Sequence, residues 1–242
     1  MSDNTATARA ATAMPPDPLS PAPGQPVPHD RTALRQLLAQ RNQSEGRHAA
    51  IDAAIEQQFV RTVAMLVLDM CGFSRITARH GIIHFLAMVH QMEQAARPAI
   101  AGNGGEVIKQ EADNVFAVFS HPEQALEAAL DIQRALDAMN AVQPPEAALH
   151  ASVGIGYGPT LVIAGKDLFG HEMTMACKLG EDIAGQGEIL LTAAACQALA
   201  PGHYTFSPLQ EHIGGMDMPA FRFEASLHER PLPGAPMPAD GA

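Results

Sequence analysis

Tryptophan is missing from this chain, tyrosine occurs twice, and aromatic residues make up only 5% of the whole. Its core must therefore be built from aliphatic and methionine side chains, not from stacked rings. Cysteine is also scarce. The three thiols, Cys71, Cys177 and Cys196, are an odd number at unrelated spacings, which argues against a disulfide framework and for reduced thiols, hence an expected cytoplasmic location. Charge is thin and acidic, with 15 Lys and Arg against 26 Asp and Glu and a formal net charge of −11. Such a balance argues against a general nucleic-acid binder and leaves room only for a local basic pocket the size of one triphosphate. No apolar run approaches the roughly 20 residues that span a bilayer. The first residues also lack the basic start and hydrophobic stretch of a signal peptide.

What is present is an apolar chain, 47% hydrophobic, between two proline-rich ends. Residues 1–30 carry Pro15, Pro16, Pro18, Pro21, Pro23, Pro26 and Pro28, too closely spaced for a helix, and are expected to be a disordered tail. Residues 227–242 are expected to be a second one. Between them, 31–59 reads as a helical N-terminal extension, with one apolar stripe through Leu34, Leu37 and Leu38 and another through Ile51, Ala54, Ile55 and Phe59. Periodicity alone leaves open whether these helices cap their own domain or pair two subunits. Residues 60–226 form the remaining domain, long enough for a full core.

The pattern in 60–226 predicts a strand from Thr62 to Asp69, then a helix from about Phe73 with Ile82, Ile83, Leu86, Val89 and Met92 on one face. A strand-turn-strand (Val107 to Phe119), a helix (Pro122 to Met139) and a strand (Leu149 to Ile155) follow. Next come a Gly-Pro turn, a short strand (Leu161 to Ala164), a helix (about Glu172 to Ile183), a strand (Glu188 to Thr192) and a terminal pair, Tyr204 to Ser207 and Ala220 to Ala225. Hairpins mixed with covering helices imply an α+β fold of ferredoxin-like type, mostly antiparallel, with helices on one face. Met65, Met70, Met88, Met92, Met173 and Met175 read as gap-filling core residues. His80, His84 and His90 on the first long helix read as ordinary histidines, since no further ligand completes a metal set.

Two carboxylates stand out: Asp69 ends the first strand just before Cys71-Gly72-Phe73-Ser74, and Asp113 falls where a hairpin turns. Adjacent strands are only about 5 Å apart, so two such side chains can converge on divalent ions, beside free amides that suit phosphate. With these residues the chain resembles the catalytic domain of the class III adenylate/guanylate cyclases. Three ordered blocks carry the resemblance: the Asp69 strand and loop, Gly104-Gly105 through Lys109 to Asp113, and Ser152 to Pro159 through Asp167-Leu168-Phe169-Gly170 to Ala176-Cys177-Lys178-Leu179 and Gly187 to Thr192.

The resemblance implies the ferredoxin-like cyclase fold over 60–226 and conversion of ATP to cyclic AMP and pyrophosphate, with Mg²⁺ or Mn²⁺, two per site, held by Asp69 and Asp113. It implies backbone N–H groups of Met70, Cys71, Gly72 and Phe73 on the phosphates. Lys109 and Asp167 match the base-reading positions, a donor for adenine N1 and an acceptor for its exocyclic amine; guanine would need the reverse. The transition-state Asn and Arg of the family fall on Thr174 and Lys178, a shorter polar group and a cation without the planar fork. Ala112 replaces the Gly usual before the second Asp, and Ile213-Gly214-Gly215-Met216 holds no Lys for the terminal phosphates. A homodimer is implied, with metal aspartates from one subunit and base and ribose contacts from the other. The departures keep a second reading open, a degenerate cyclase domain that binds nucleotide or dimerises with little or no turnover.

Overall fold

The computed structural model describes residues 30–44, 46–144, 147–213 and 216–227. The expected proline-rich tails and the Gly214-Gly215 pair lie outside the described residues, the tails but for Asp30 and Leu227. Two helices open the fold, α1 (Arg31–Gln43) and α2 (His48–Phe59), followed by β1 (Val60–Met70), α3 (Phe73–His80) and α4 (Ile82–Gly102). The hairpin β2 (Glu106–Glu111) and β3 (Asn114–Phe119), α5 (Pro122–Asn140), β4 (Ala151–Ile163), β5 (Asp167–Phe169) and α6 (His171–Cys177) come next. A π-helical turn (Lys178–Ile183), β6 (Ile189–Thr192), α7 (Ala193–Gln197), β7 (Tyr204–Ile213) and β8 (Met216–Ser226) complete it. The strands form one sheet in the order β2-β3-β1-β4-β6-β8-β7, with β5 paired to β4. All pairings are antiparallel except β4 with β6. A parallel pair needs a crossover, and β5, α6 and the π turn supply it.

Strand alternation sorts the core. In β1, Ala64, Leu66, Leu68 and Met70 face the cluster shared with α4 and α5, while Val63, Met65 and Val67 face Met173 and Ala176 of α6. The two long helices thus cover one face, and α6 with the π turn covers part of the other, a layer that the expectation of helices on one face did not include. The six methionines named above are all buried. They fill the space that a chain without tryptophan leaves to flexible side chains.

The Ser152 to Pro159 segment explains why α6 can lie so close. Val153, Ile155 and Tyr157 pack toward α4 and α5, and the alternate positions are Gly154, Gly156 and Gly158. A Cβ on Gly154 would fall 2.0 Å from the Ala176 carbonyl, and one on Gly156 2.6 Å from that of Glu172. The glycines are a track on which helix backbone rests directly on strand backbone.

Four expectations change. The helix from Phe73 breaks at Gly81, whose φ of +82° restarts it in a new phase; Ile82, Ile83 and Leu86 are exposed, and the buried face runs through Phe85, Met88, Val89, Met92, Ala96 and Ile100. Gly158-Pro159 makes no turn. β4 pairs with β1 without interruption from Ala151 to Leu161, and the Val153 N–H points toward β6, so Pro159 shares that orientation and its missing N–H falls in the gap between β6 and β5. The helix predicted to Ile183 turns π after Cys177. The short terminal strands are a long hairpin, Tyr204 pairing with Ser226.

The N-terminal helices pack on their own chain: Leu34, Ile51, Ile55 and Phe59 form a cluster with Ile163 of β4. Arg41 grips both oxygens of Asp52, at 2.5 and 3.0 Å, and ties α1 to α2.

Candidate active site

Asp69 shares the Val63-Met65-Val67 face of β1 by strand period, so it ends that face beneath the π turn. Across the sheet Leu68 pairs with Val115, which brings the β2–β3 turn and Asp113 beside it. The Asp69 carboxyl is pushed up to about 7, first by burial, then by the charges of Asp113 and Glu181, against a stabilising bond from the Met70 N–H. Asp113 is also raised, by burial, with its own backbone N–H opposing. Two neighbouring oxygen-donor side chains, made reluctant to ionise by burial and one of them also by like charge, have the chemistry that a hard divalent cation would favour. Among the described residues no three His, Cys, Asp or Glu side chains form a metal-binding group. Ala112 has a φ of +51°, alone among the described non-glycine residues in the left-handed region. The turn that aims Asp113 is strained.

Beyond Asp69, Gly72 has a φ of +95° and caps α3, a conformation that a residue without a Cβ adopts freely. The four amides expected to face phosphate divide. Met70 donates to Asp69 and Cys71 to the His150 carbonyl at 2.8 Å, a correction for these two, whereas Gly72 and Phe73 stand at the start of α3, where first-turn amides have no intrahelical acceptor. The Cys71 thiol is pushed up by burial, which disfavours the nucleophilic thiolate beside the loop.

Lys109 and Asp167, 58 positions apart in sequence, meet. Lys109 Nζ lies 3.0 Å from Asp167 Oδ1 and 3.1 Å from Glu111 Oε1, and 4.6 Å above the Phe116 ring. A register shift between Val107 and Lys109 makes this possible: the bulge turns Ile108 and Lys109 toward the same cluster. Burial works downward on the Lys109 ammonium, yet bonds to Asp167 and Glu111 outweigh it and hold it above its ordinary value. Asp167 Oδ1 also accepts from the Leu168 N–H at 3.0 Å, and its Oδ2 from Arg31 at 2.8 Å.

Thr174 and Lys178 lie four residues apart, Thr174 on α6 and Lys178 at the start of the π turn, facing one side. Thr174 is exposed, and its hydroxyl donates to the Gly170 carbonyl at 3.1 Å. Lys178 makes no ion pair among the described residues. Glu181 bridges the groups: burial raises its carboxyl, and it feels Asp182, Glu111 and Lys109 while itself acting on Asp69.

Sequence reading missed Glu111, Glu181 and Arg31. Glu111 was two residues from Lys109 on one strand and Glu181 three beyond Lys178 on one helix, so alternation and helical period carried a signal for both. Arg31, 136 positions from its partner, left none. His80 and His84 stack with ring centroids 4.9 Å apart, with no third ligand in a metal group among the described residues.

Residues 55–220 match the family model described as the adenylate and guanylate cyclase catalytic domain. A protein of Rhizobium meliloti (strain 1021), whose name proposes an adenylate cyclase, is 26% identical over 132 residues, 54% of this chain and 22% of that protein. The chain thus spans less than a quarter of the length of that curated relative. The crystal structure of an adenylate/guanylate cyclase/hydrolase from Silicibacter pomeroyi superposes with a TM-score of 0.57 at 25% identity, covering 69% of this chain and 98% of the other. The guanylate cyclase domain from Catenaria anguillulae in complex with GTP gives 0.59 at 18% identity, over 68% and 97%, a likeness of fold.

Proposed function

The chain belongs to the adenylate and guanylate cyclase catalytic-domain family, and from that premise we propose that it converts ATP to cyclic AMP and pyrophosphate at sites shared by two copies of itself. The observation that carries the choice of ATP is the Lys109–Asp167 pair, a donor and an acceptor 3.0 Å apart. Adenine presents an acceptor at N1 next to a donor at its exocyclic amine, so Lys109 donates to the first and Asp167 accepts from the second. Guanine has both polarities reversed and leaves two buried polar groups opposed.

Asp69 and Asp113 hold Mg²⁺ or Mn²⁺, two per site. A metal held there would supply Lewis acidity for the ribose 3′ hydroxyl and positive charge for the departing pyrophosphate. The amides at Gly72 and Phe73 take phosphate oxygens at the start of α3. Thr174 bonds the ribose and Lys178 sets its cation against the charge developing at the α-phosphorus, without the bidentate grip of an arginine. In the homodimer the metal carboxylates come from one subunit and Lys109, Asp167, Thr174 and Lys178 from its partner.

One observation favours the second reading, a nucleotide-binding module with little turnover: the Thr174 hydroxyl already donates to Gly170, so its one proton is committed and it must break that bond to donate to ribose. Incubating the purified protein with each nucleoside triphosphate and Mg²⁺ or Mn²⁺, and assaying cyclic product with pyrophosphate, separates the readings. Cyclic AMP in excess over the other cyclic nucleotides supports the proposal. A dominant cyclic GMP product overturns the base assignment, and binding without product establishes the second reading.

A further inference from the structure

The segment that matches the family begins at residue 55, yet one residue before it touches the base-reading pair. Arg31 donates to Asp167 Oδ2 at 2.8 Å while Lys109 and the Leu168 N–H both donate to Oδ1 at 3.0 Å. We propose that Arg31 is a positioning residue for base recognition, with which the helical extension fixes the Asp167 carboxylate for the exocyclic amine of a 6-aminopurine nucleotide. The inference rests on the reading of Asp167 given above.

The placement of Arg31 is built, not incidental. It is the first residue of α1, and the Asp30 side chain caps that turn by accepting from the Ala33 N–H at 2.9 Å. One turn on, Leu34 is buried against Ile51, Ile55, Phe59 and Ile163. Ile163 is the cross-strand partner of Asp167. The helix that carries Arg31 is therefore seated on the strand pair that carries Asp167, and the bidentate Arg41–Asp52 contact secures α1 to α2.

The chemistry follows from lone pairs. An ionised carboxylate offers about four acceptor positions; Lys109 and Leu168 take two on Oδ1, Arg31 takes one on Oδ2, and one on Oδ2 remains for an incoming amine. With donors at both oxygens the carboxylate plane is fixed before the base arrives, so less freedom is lost on binding. The charges also close: Lys109 and Arg31 balance Asp167 and Glu111. Removal of Arg31 frees the Oδ2 edge and leaves a net negative cluster. The acceptor then pays in orientation for each amine it binds.

The test uses the full chain: wild type, Arg31→Ala, Arg31→Gln, Arg31→Lys and Asp167→Ala, titrated with fluorescent ATP and GTP analogues in the presence of Mg²⁺, with initial rates and thermal midpoints alongside. Arg31→Ala is expected to weaken ATP about tenfold, the effect of one charge-assisted bond, and GTP much less, raising KM with little change in kcat. Arg31→Gln removes the charge and leaves a shorter neutral polar side chain, and should match Ala, whereas Arg31→Lys should recover part of the preference. Unchanged ATP binding in both neutral variants overturns the inference, and tighter ATP binding does so by making Arg31 a plug that substrate must displace. Loss in Ala and Gln without recovery in Lys, or loss accompanied by a collapsed thermal midpoint in every variant, assigns Arg31 a structural role only and also overturns it. If Asp167→Ala leaves the ATP-to-GTP ratio intact, the reading of Asp167 itself fails and the inference falls with it.

Discussion

Asp69 is expected to cost the metal-free protein stability, and replacing it with Asn should show how much. Its carboxyl rises from 3.8 to about 7 in the folded chain. The sign is opposite to that of a salt-bridged aspartate. Because the folded state holds this proton more tightly than the unfolded one, stability falls as pH rises between about 4 and 7, and the full penalty is present above that range. For a fully buried group the difference corresponds to about 4 kcal/mol. Asp69 is only half-buried, and solvent screening brings the expectation to about 1–2 kcal/mol. With chelator present at about pH 8, Asp69→Asn should therefore raise the thermal midpoint by roughly 3–6 °C, while at about pH 3, where Asp69 is protonated in the folded and the unfolded chain alike, the two proteins should melt within about 1 °C of each other. Added Mg²⁺ should stabilise the wild type and leave the Asn variant unmoved, since a cation that binds only the folded carboxylates shifts the equilibrium by mass action. The measurement is a melting series across pH with and without metal. A variant less stable than wild type at about pH 8, or a difference that is the same at both pH values, would refute the electrostatic argument.

Three further outcomes are expected. Ala112→Gly should stabilise the protein by about 0.5 kcal/mol in urea denaturation, the relief of a left-handed alanine less the entropy glycine adds to the unfolded chain; destabilisation would show that the turn is not strained. Asp69→Ala and Lys109→Ala, each inactive alone, should regain activity when mixed with subunit exchange confirmed, because one of the two shared sites is then wholly wild type; no recovery at any ratio would place each site within one chain. Thr174→Asn with Lys178→Arg should raise kcat by about 10-fold or more with a smaller change in KM, the signature of groups that act on the developing charge; a change in KM alone would sink the assignment of both positions.

The strands and helices of the sheet were largely legible because period and punctuation agree in them: β1 as an apolar run ending in Asp, α5 between Pro122 and Asn140, the hairpin around Asp113. What misled was punctuation read without context. Gly158-Pro159 has the composition of a turn, but a proline in a strand needs only that its missing N–H face no partner, a fact of sheet order that no local window contains. Ile82, Ile83 and Leu86 looked buried because apolar residues at helical spacing usually are. Gly81 breaks the phase, and they are exposed by 52%, 82% and 55%.

The candidate site divides the same way. Asp69 and Asp113 were visible as carboxylates at strand mouths, and Lys109 and Asp167 through likeness to a family. Their convergence depends on a bulge at Ile108 and on a three-residue strand, β5, too short to have a period. A single β-bulge decides whether Lys109 faces Asp167 or the opposite side of the sheet, because strand side chains alternate at every residue. Arg31 is the limiting case. Nothing in its neighbourhood marks it: one arginine opening an amphipathic helix reads as solvated surface, and its partner is fixed only once Leu34 seats α1 on Ile163, across the strand pair from Asp167. A contact of that kind is specified by two buried positions, Leu34 and Ile163, rather than by the charged pair it creates. Leu34→Asp should therefore disturb base preference without touching a charge near the nucleotide, and a Leu34→Asp protein that stays folded and binds ATP and GTP in the wild-type ratio would show that α1 is not what holds Arg31 in place.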